Sequence, residues 1–294
     1  MEIKIGERLV GDGHPCFVIA ELGINHCGSV YTAKRLIDAA KEAGASAVKF
    51  QKRTIEKCYT KEELDKPRES PWGNTTRQQK EGLEFGSHQY YEIDKHCKRV
   101  GIQWFASCWD IEAVDFIERY DPPCYKIASA CLTDRNLLYH HCKTDKPLLA
   151  STGMSTLHEI QAAVGAMRHF DAEFLLMHCT STYPSKTEHL NLNCIPTLRK
   201  TFNCLVGYSG HEVGLQTTVA AVMLGACVVE RHLTLDRSSY GSDQSASVEP
   251  HGFAQMVRDI RVCEQARGDG IKRVYDDELP IKAKLRKVET LLNG

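Results

Sequence analysis

No apolar run in this 294-residue sequence approaches the roughly 18 residues of a membrane-spanning helix. Residues 1–10 show no basic segment leading into an apolar core, so an export signal is not expected either. Neither sign of charge predominates: 37 Lys and Arg stand against 38 Asp and Glu, a formal net charge of -1. Such a chain has no overall field to draw it to nucleic acid or to an anionic membrane, and neither is expected as a partner. Cys-x-x-Cys spacing is also missing. The 13 cysteines are odd in number, and Cys108, Cys124, Cys179 and Cys227 fall inside apolar runs, where a thiol behaves as a small hydrophobe. These features point to a reduced, cytoplasmic chain rather than a disulfide scaffold. Apolar residues, by contrast, make up 42% of the chain, ample for a sizeable core in one large domain or two ordinary ones.

Short Val/Leu/Ile-rich runs at residues 16–22, 47–51, 102–107, 124–129, 147–152, 174–179, 205–208 and 227–232 read as buried strands. Helical periodicity occupies most of the gaps, at 33–43, 89–99, 110–118, 136–142, 156–170, 216–224 and 252–265. This alternation predicts an α/β fold, a (β/α)₈ TIM barrel, with a doubly wound open sheet as the structural alternative. Residues 2–14 alternate as a small hairpin should, capping the body. On this reading 1–270 is one catalytic barrel including that hairpin. Residues 271–294 then form a charged helical tail with a stripe of Leu279, Leu285, Val288 and Leu292. The connection 53–86, rich in Lys, Glu, Pro, Gly, Asn and Thr, is long enough to serve as a lid or binding loop.

The active site of a barrel lies at the C-terminal ends of its strands. Two of those ends carry histidine: Leu205-Val206-Gly207-Tyr208-Ser209-Gly210-His211 and Val228-Val229-Glu230-Arg231-His232. A βαβ crossover makes these strands parallel and brings His211 and His232 to one edge. There they form a metal site, or stand as two hydrogen-bonded structural histidines. Strand alternation turns Ser209 with His211 and Glu230 with His232. Lys49 and Lys126 also lie within buried strands, where an ammonium needs a counter-charge. Either each pairs with a carboxylate, or the two join Ser129, Ser151 and Ser209 in seating a small polyanion such as a phosphorylated carboxylic acid. Glu21 would then move a proton or orient water, or else pair with one of the lysines.

The segments that carry these residues resemble, in chain order, the barrel of the sialic acid synthases. They are Ile19-Ala20-Glu21-Leu22-Gly23-Ile24-Asn25-His26, Val48-Lys49-Phe50-Gln51, Tyr125-Lys126-Ile127-Ala128-Ser129, Ser151-Thr152-Gly153-Met154, His178-Cys179-Thr180-Ser181-Thr182-Tyr183-Pro184, Gly207-Tyr208-Ser209-Gly210-His211 and Arg231-His232-Leu233-Thr234-Leu235-Asp236. The resemblance runs over residues 14–270. It implies condensation of phosphoenolpyruvate with the open-chain aldehyde of an N-acetylmannosamine-like sugar, giving a 3-deoxy-2-ulosonic (nonulosonic) acid and phosphate. It further implies Glu21, Lys49, His211 and His232 as catalytic residues, and His211 and His232 as ligands of a divalent metal, Mn²⁺ first, with Mg²⁺ or Co²⁺ as alternatives. The phosphoenolpyruvate seat would comprise Lys49, Ser107, Lys126, Ser129, Ser151, Ser181 and Ser209. Sugar contacts would come from Gln51, Tyr183 and Asp243. Apart from the resemblance, the length and position of the connection 53–86, with Asn74, and of the tail 275–294 would let either close a neighbouring chain's site, which makes Asn74 a further candidate substrate contact.

Three positions depart from that pattern: Ser181 replaces an asparagine, Ser107 a threonine and Cys131 a glutamate near the sugar aldehyde. A thiol does not replace a carboxylate as acceptor or general acid. The family usually continues into an antifreeze-like domain, which the sequence to Gly294 does not include. Phosphoenolpyruvate and a sugar aldehyde are therefore the expected partners, and a homo-oligomer, dimer or tetramer, the expected assembly. Two other readings follow from the same residues: a catalytically silent anion-binding barrel acting with a partner synthase, and an aldolase using Lys49 or Lys126 as a Schiff base.

Overall fold

The computed structural model describes residues 1–286, so Lys287, Val288 and Leu292 of the expected tail lie outside the described residues. An antiparallel hairpin, β1 (Glu2–Ile5) and β2 (Arg8–Gly11), precedes the body. Eight parallel strands follow: β3 (Phe17–Glu21), β4 (Ala47–Lys52), β7 (Gln103–Cys108), β8 (Tyr125–Ile127), β9 (Leu148–Ser151), β10 (Phe174–Cys179), β11 (Leu205–Gly210) and β12 (Val228–His232). They close in chain order, β12 pairing with β3, so the barrel holds and the open sheet does not. Its outer layer comprises α1 (Val30–Glu42), α5 (Ser87–Val100), α6 (Ile111–Glu118), α7 (Arg135–Cys142), α8 (Leu157–His169), α9 (Cys194–Phe202), α10 (Gln216–Met223) and α11 (Pro250–Arg267).

Alternation along the strands sorts the residues into two cores. Val18, Ala20, Val48, Phe50, Ala106, Leu176 and Val229 face the helices in one cluster. Phe17, Ile19, Ala47, Phe105, Leu149, Leu175 and Val228 face inward and pack with Ile3, Ile5 and Val10 of the hairpin, which closes the N-terminal end of the barrel. The inward set changes character along each strand: Phe17 and Ile19 lead to Glu21, Ala47 to Lys49 and Gln51, Leu149 to Ser151, and Val228 to Glu230 and His232. An apolar plug at one end and a polar floor at the other follow from that gradient alone.

The connection 53–86 is built rather than open. It contains α2 (Ile55–Cys58), α3 (Lys61–Leu64), the antiparallel hairpin β5 (Pro67–Ser70) and β6 (Gly73–Thr75), and α4 (Thr76–Leu83), whose Thr75 and Gln78 form a capping box. Trp72 packs edge-on to Tyr240 with ring centroids 5.7 Å apart. A Cβ on Gly82 would come within 2.1 Å of the Trp72 ring, and only glycine leaves room for that contact. Past α11 the tail runs exposed into a short helix, α12 (Leu279–Leu285), and among the described residues no helix is long and apolar enough to cross a membrane.

The run expected as a strand over 124–129 is shorter. Its ladder ends at Ile127, and Ser129–Cys131 turn into a 3₁₀ segment that lifts Ser129 to the rim. Helix α9 was absent from the expected elements. Pro196 masks it, although proline in a first turn is tolerated and Ile195, Leu198 and Phe202 supply a buried stripe.

Candidate active site

A cavity of about 280 Å³ opens at the C-terminal ends of the strands. β3 contributes Glu21; β4, Lys49 and Gln51; β7, Ser107; β8 and the turn after it, Lys126 and Ser129; and β9, Ser151. The segment after β10 adds Ser181 and Tyr183, β11 adds Ser209 with His211 just beyond it, and β12 adds Glu230 and His232. Asp243 lines an adjoining recess that shares Gln51 with the cavity. Asn74 is not brought into either space. It sits exposed on β6, its backbone N–H held by the Gln78 side chain at 2.8 Å, because the connection folds there as a hairpin rather than draping over the mouth.

Lys49 meets two carboxylates, Glu21 at 3.2 Å and Glu230 at 3.1 Å, and donates to Ser107 at 2.9 Å. Burial alone would depress its pKa, but Glu21 and Glu230 outweigh it and hold the ammonium above the ordinary lysine value. That is the opposite of the free amine a Schiff base requires. Lys126 differs: its Nζ donates to Ser151 Oγ at 2.5 Å, and burial, helped by Lys49 against Glu230, holds its pKa below the ordinary value. Glu230 lies between the two. Burial raises its pKa, yet Lys126, Lys49 and His232 together pull it below the ordinary value, so it stays ionised. Of the two readings of the lysines, pairing with a carboxylate holds for Lys49, while Lys126 donates to the Ser151 hydroxyl and the Ile127 carbonyl and to no carboxylate.

Strands β11 and β12 are neighbours, and the rings of His211 and His232 have centroids 5.5 Å apart. His211 Nδ1 donates to the Thr180 carbonyl at 2.9 Å, which fixes the tautomer and leaves Nε2 with its lone pair, 3.0 Å from Tyr183 Oη. Burial first, then His232, pushes the His211 pKa down to about 4, so it is the neutral imidazole that a metal needs. His232 Nδ1 is buried without a hydrogen-bond partner, with Asp243 Oδ2 3.6 Å away. Among the described residues no group of three or more His, Cys, Asp and Glu forms a metal cage. The pair would offer a divalent ion two imidazole ligands.

Glu230, Trp109 and Cys179 line the cavity without having been singled out as site residues. Glu230 carried a usable signal, a carboxylate in the middle of Val228-Val229-Glu230-Arg231, open to the same argument as the strand lysines. Trp109 and Cys179 looked like ordinary apolar residues. Glu230 Oε2 is buried without a partner and Glu21 Oε2 has only the Lys49 ammonium, at 3.2 Å, so the polar floor is not internally satisfied.

Residues 36–272 match the model of the NeuB family. The chain belongs to the NeuB family. It is 40% identical over 283 residues to human (Homo sapiens) N-acetylneuraminate-9-phosphate synthase, covering 95% of this chain and 79% of that one. To the N,N'-diacetyllegionaminic acid synthase of Legionella pneumophila it is 36% identical, over 96% of this chain and 81% of the relative. In structure it is similar to the N-acetylneuraminic acid (sialic acid) synthetase of Leptospira borgpetersenii, crystallised with citrate: TM-score 0.86, 28% identity, 98% of each chain covered. This NeuB-family chain is accordingly an enzyme, a synthase.

Proposed function

We propose that this synthase joins phosphoenolpyruvate to the open-chain aldehyde of an N-acylated aldose, giving a nonulosonic acid and phosphate. The observation that carries the reading is the placement of Lys49 and Lys126, both buried, in one small cavity with His211 and His232 on its wall. Two ammonium groups, four strand-end serines (Ser107, Ser129, Ser151 and Ser209) and little room suit a compact molecule with a carboxylate and a phosphate. The names of three relatives, an N-acetylneuraminate-9-phosphate, an N,N'-diacetyllegionaminic acid and a pseudaminic acid synthase, support the same product class.

In the reaction a carbon–carbon bond forms between the methylene carbon of phosphoenolpyruvate and the aldehyde carbon, whose oxygen takes a proton. Water then adds at C2, and the bond from C2 to the phosphate oxygen breaks. Lys126, tied to Ser151, and Lys49, tied to Ser107, hold the anionic groups and keep the enol carbon facing the histidines. Glu21 accepts from Gln51 Nε2 at 2.8 Å, pairs through its other oxygen with Lys49 at 3.2 Å, and borders the cavity, where it orients the attacking water and takes its proton. Glu230, held ionised beside both lysines, stabilises positive charge developing at C2. A divalent ion, Mn²⁺ in this reading, held by His211 and His232, would supply Lewis acidity toward the aldehyde oxygen. Tyr183, in contact with His211, borders the same end of the cavity.

The test is phosphate release on mixing the protein with phosphoenolpyruvate, Mn²⁺ and a panel of aldoses and N-acylhexosamines. Release with at least one N-acylated aldose is expected. Tight phosphoenolpyruvate binding with no release for any aldehyde would reject the reading.

A further inference from the structure

Arg53 follows the last residue of β4, and Trp109 the last residue of β7. The ladder pairs Gln51 with Ser107 and Lys52 with Cys108, and the Trp109 N–H donates to the Lys52 carbonyl at 3.1 Å, so Arg53 and Trp109 leave the barrel side by side. Alternation turns Arg53 to the same face as Gln51. Its guanidinium lies over the Trp109 ring, Cζ 4.1 Å from the centroid, and its backbone N–H is held by Glu84 Oε1 at 3.2 Å. Among the described residues the Arg53 side chain makes one hydrogen bond, from Nη2 to Gln51 Oε1 at 2.5 Å.

That bond decides how the Gln51 amide is turned. An amide offers a carbonyl at one end and an NH₂ at the other, and a guanidinium, which has donors only, pairs only with the carbonyl. The NH₂ end therefore points to Glu21, where Nε2 donates to Oε1 at 2.8 Å. Half a turn of the amide would set N–H against N–H at Arg53 and oxygen against carboxylate at Glu21, two repulsions in place of two charge-assisted bonds. Gly23 closes on the same contact: its φ is +47°, and a Cβ there would come within 3.2 Å of Gln51 Nε2 and 3.1 Å of Glu21 Oε1.

The Glu21 carboxylate is thus held at both oxygens, Oε1 by Gln51 and Oε2 by Lys49 at 3.2 Å. The two holds differ in what supports them. Lys49 is also fixed by Glu230 and Ser107, whereas Gln51 Oε1 has no donor but Arg53 among the described residues. Resting on the reading given above, we infer that Arg53, seated on Trp109, is a positioning residue for the condensation: it orients the Gln51 amide and, through it, fixes the carboxylate of Glu21 that handles the attacking water.

Steady-state phosphate release with phosphoenolpyruvate, Mn²⁺ and the best-used aldose tests this in Arg53→Met, Arg53→Lys, Gln51→Leu and the double variant Gln51→Leu/Arg53→Met. Thermal unfolding first shows that each folds, and Arg53→Ala replaces the Met variant if that one does not. Arg53→Met should lower kcat about tenfold or more, the scale of a misplaced catalytic group, and leave the KM for phosphoenolpyruvate within about twofold, because the lysine seat is untouched. Arg53→Lys should recover part of the loss, since an ammonium still donates to Gln51 Oε1. In the double variant, loss of Arg53 should cost no more than about twofold beyond Gln51→Leu alone. An unchanged kcat in Arg53→Met overturns the inference, as do losses that multiply in the double variant, the pattern of a substrate contact or of a merely structural arginine. If the parent releases no phosphate with any aldehyde, the condensation reading fails, and a crystal structure of Arg53→Met then decides the positioning role. Gln51 Nε2 beyond hydrogen-bond distance of Glu21 supports it, and an amide still seated on Glu21 overturns it.

Discussion

Arg231 Nη1 donates to Glu212 Oε1 at 3.0 Å, both side chains are fully buried, and each is the chain neighbour of a site histidine. Alternation sends the imidazole of His232 inward and the guanidinium of Arg231 outward, where it also meets Thr218 Oγ1 at 2.7 Å and the Glu212 carbonyl at 2.6 Å. Tyr208 and Thr217 donate to the same carboxylate at 2.9 and 2.6 Å. The network ties the segment carrying His211 to the strand carrying His232. Arg231→Met strands a carboxylate in the core, for an expected loss of about 3–5 kcal/mol in urea unfolding. A double variant Glu212→Leu/Arg231→Met should recover much of that loss. A single-variant effect under about 1 kcal/mol would contradict the geometry.

Gly153 needs no left-handed backbone, yet a Cβ there would lie 2.2 Å from Ser181 Oγ and 2.7 Å from both Cys179 Sγ and Ser129 Oγ. All three groups line the cavity. Gly153→Ala should therefore fold, at a cost of about 1–3 kcal/mol for overpacking. Calorimetric titration should show phosphoenolpyruvate affinity at least tenfold weaker. Undiminished affinity would show that the anion seats elsewhere.

The barrel was legible because one rule, inward alternation between apolar plug and polar floor, operates in every strand and repeats often enough to outweigh local ambiguity. The histidine pair was legible for the same reason: topology alone brings residues 211 and 232 together. Legibility failed where chemistry depends on side chains from distant segments. Nothing local marks Trp109 as the platform for Arg53, and the partners of Glu230 come from β4, β8 and β11. Asn74 shows the converse: the length of its connection said nothing of the β5–β6 hairpin that carries it to the exterior.

Lys126 is the cation of the seat that has no carboxylate bonded to it, its Nζ donating to Ser151 Oγ and the Ile127 carbonyl. Its charge is therefore the more available to an incoming anion. Lys126→Met should raise the KM for phosphoenolpyruvate by about 10- to 100-fold, the range for one charged hydrogen bond. Steady-state kinetics at fixed acceptor measures it. Removing a costly buried ammonium should leave the melting temperature level or higher, and a large drop would mark Lys126 as structural instead.

His141, on α7 and far from the cavity, is wholly buried, donates Nδ1–H to the Leu137 carbonyl and leaves Nε2 without a partner. Burial pushes its pKa down to about 4 from the ordinary 6.5. Between those values the unfolded chain binds a proton that the folded chain refuses, so stability falls as the pH drops through that window. The fall approaches about 3 kcal/mol for this one imidazole. His141→Phe keeps a ring against Tyr125, whose centroid is 5.3 Å away, and removes the titration. Urea unfolding at pH 7 and pH 4.5 should show the variant losing less stability on acidification than the parent, by about 2–3 kcal/mol. Parallel losses in the two proteins would mean that His141 is already protonated in the folded state.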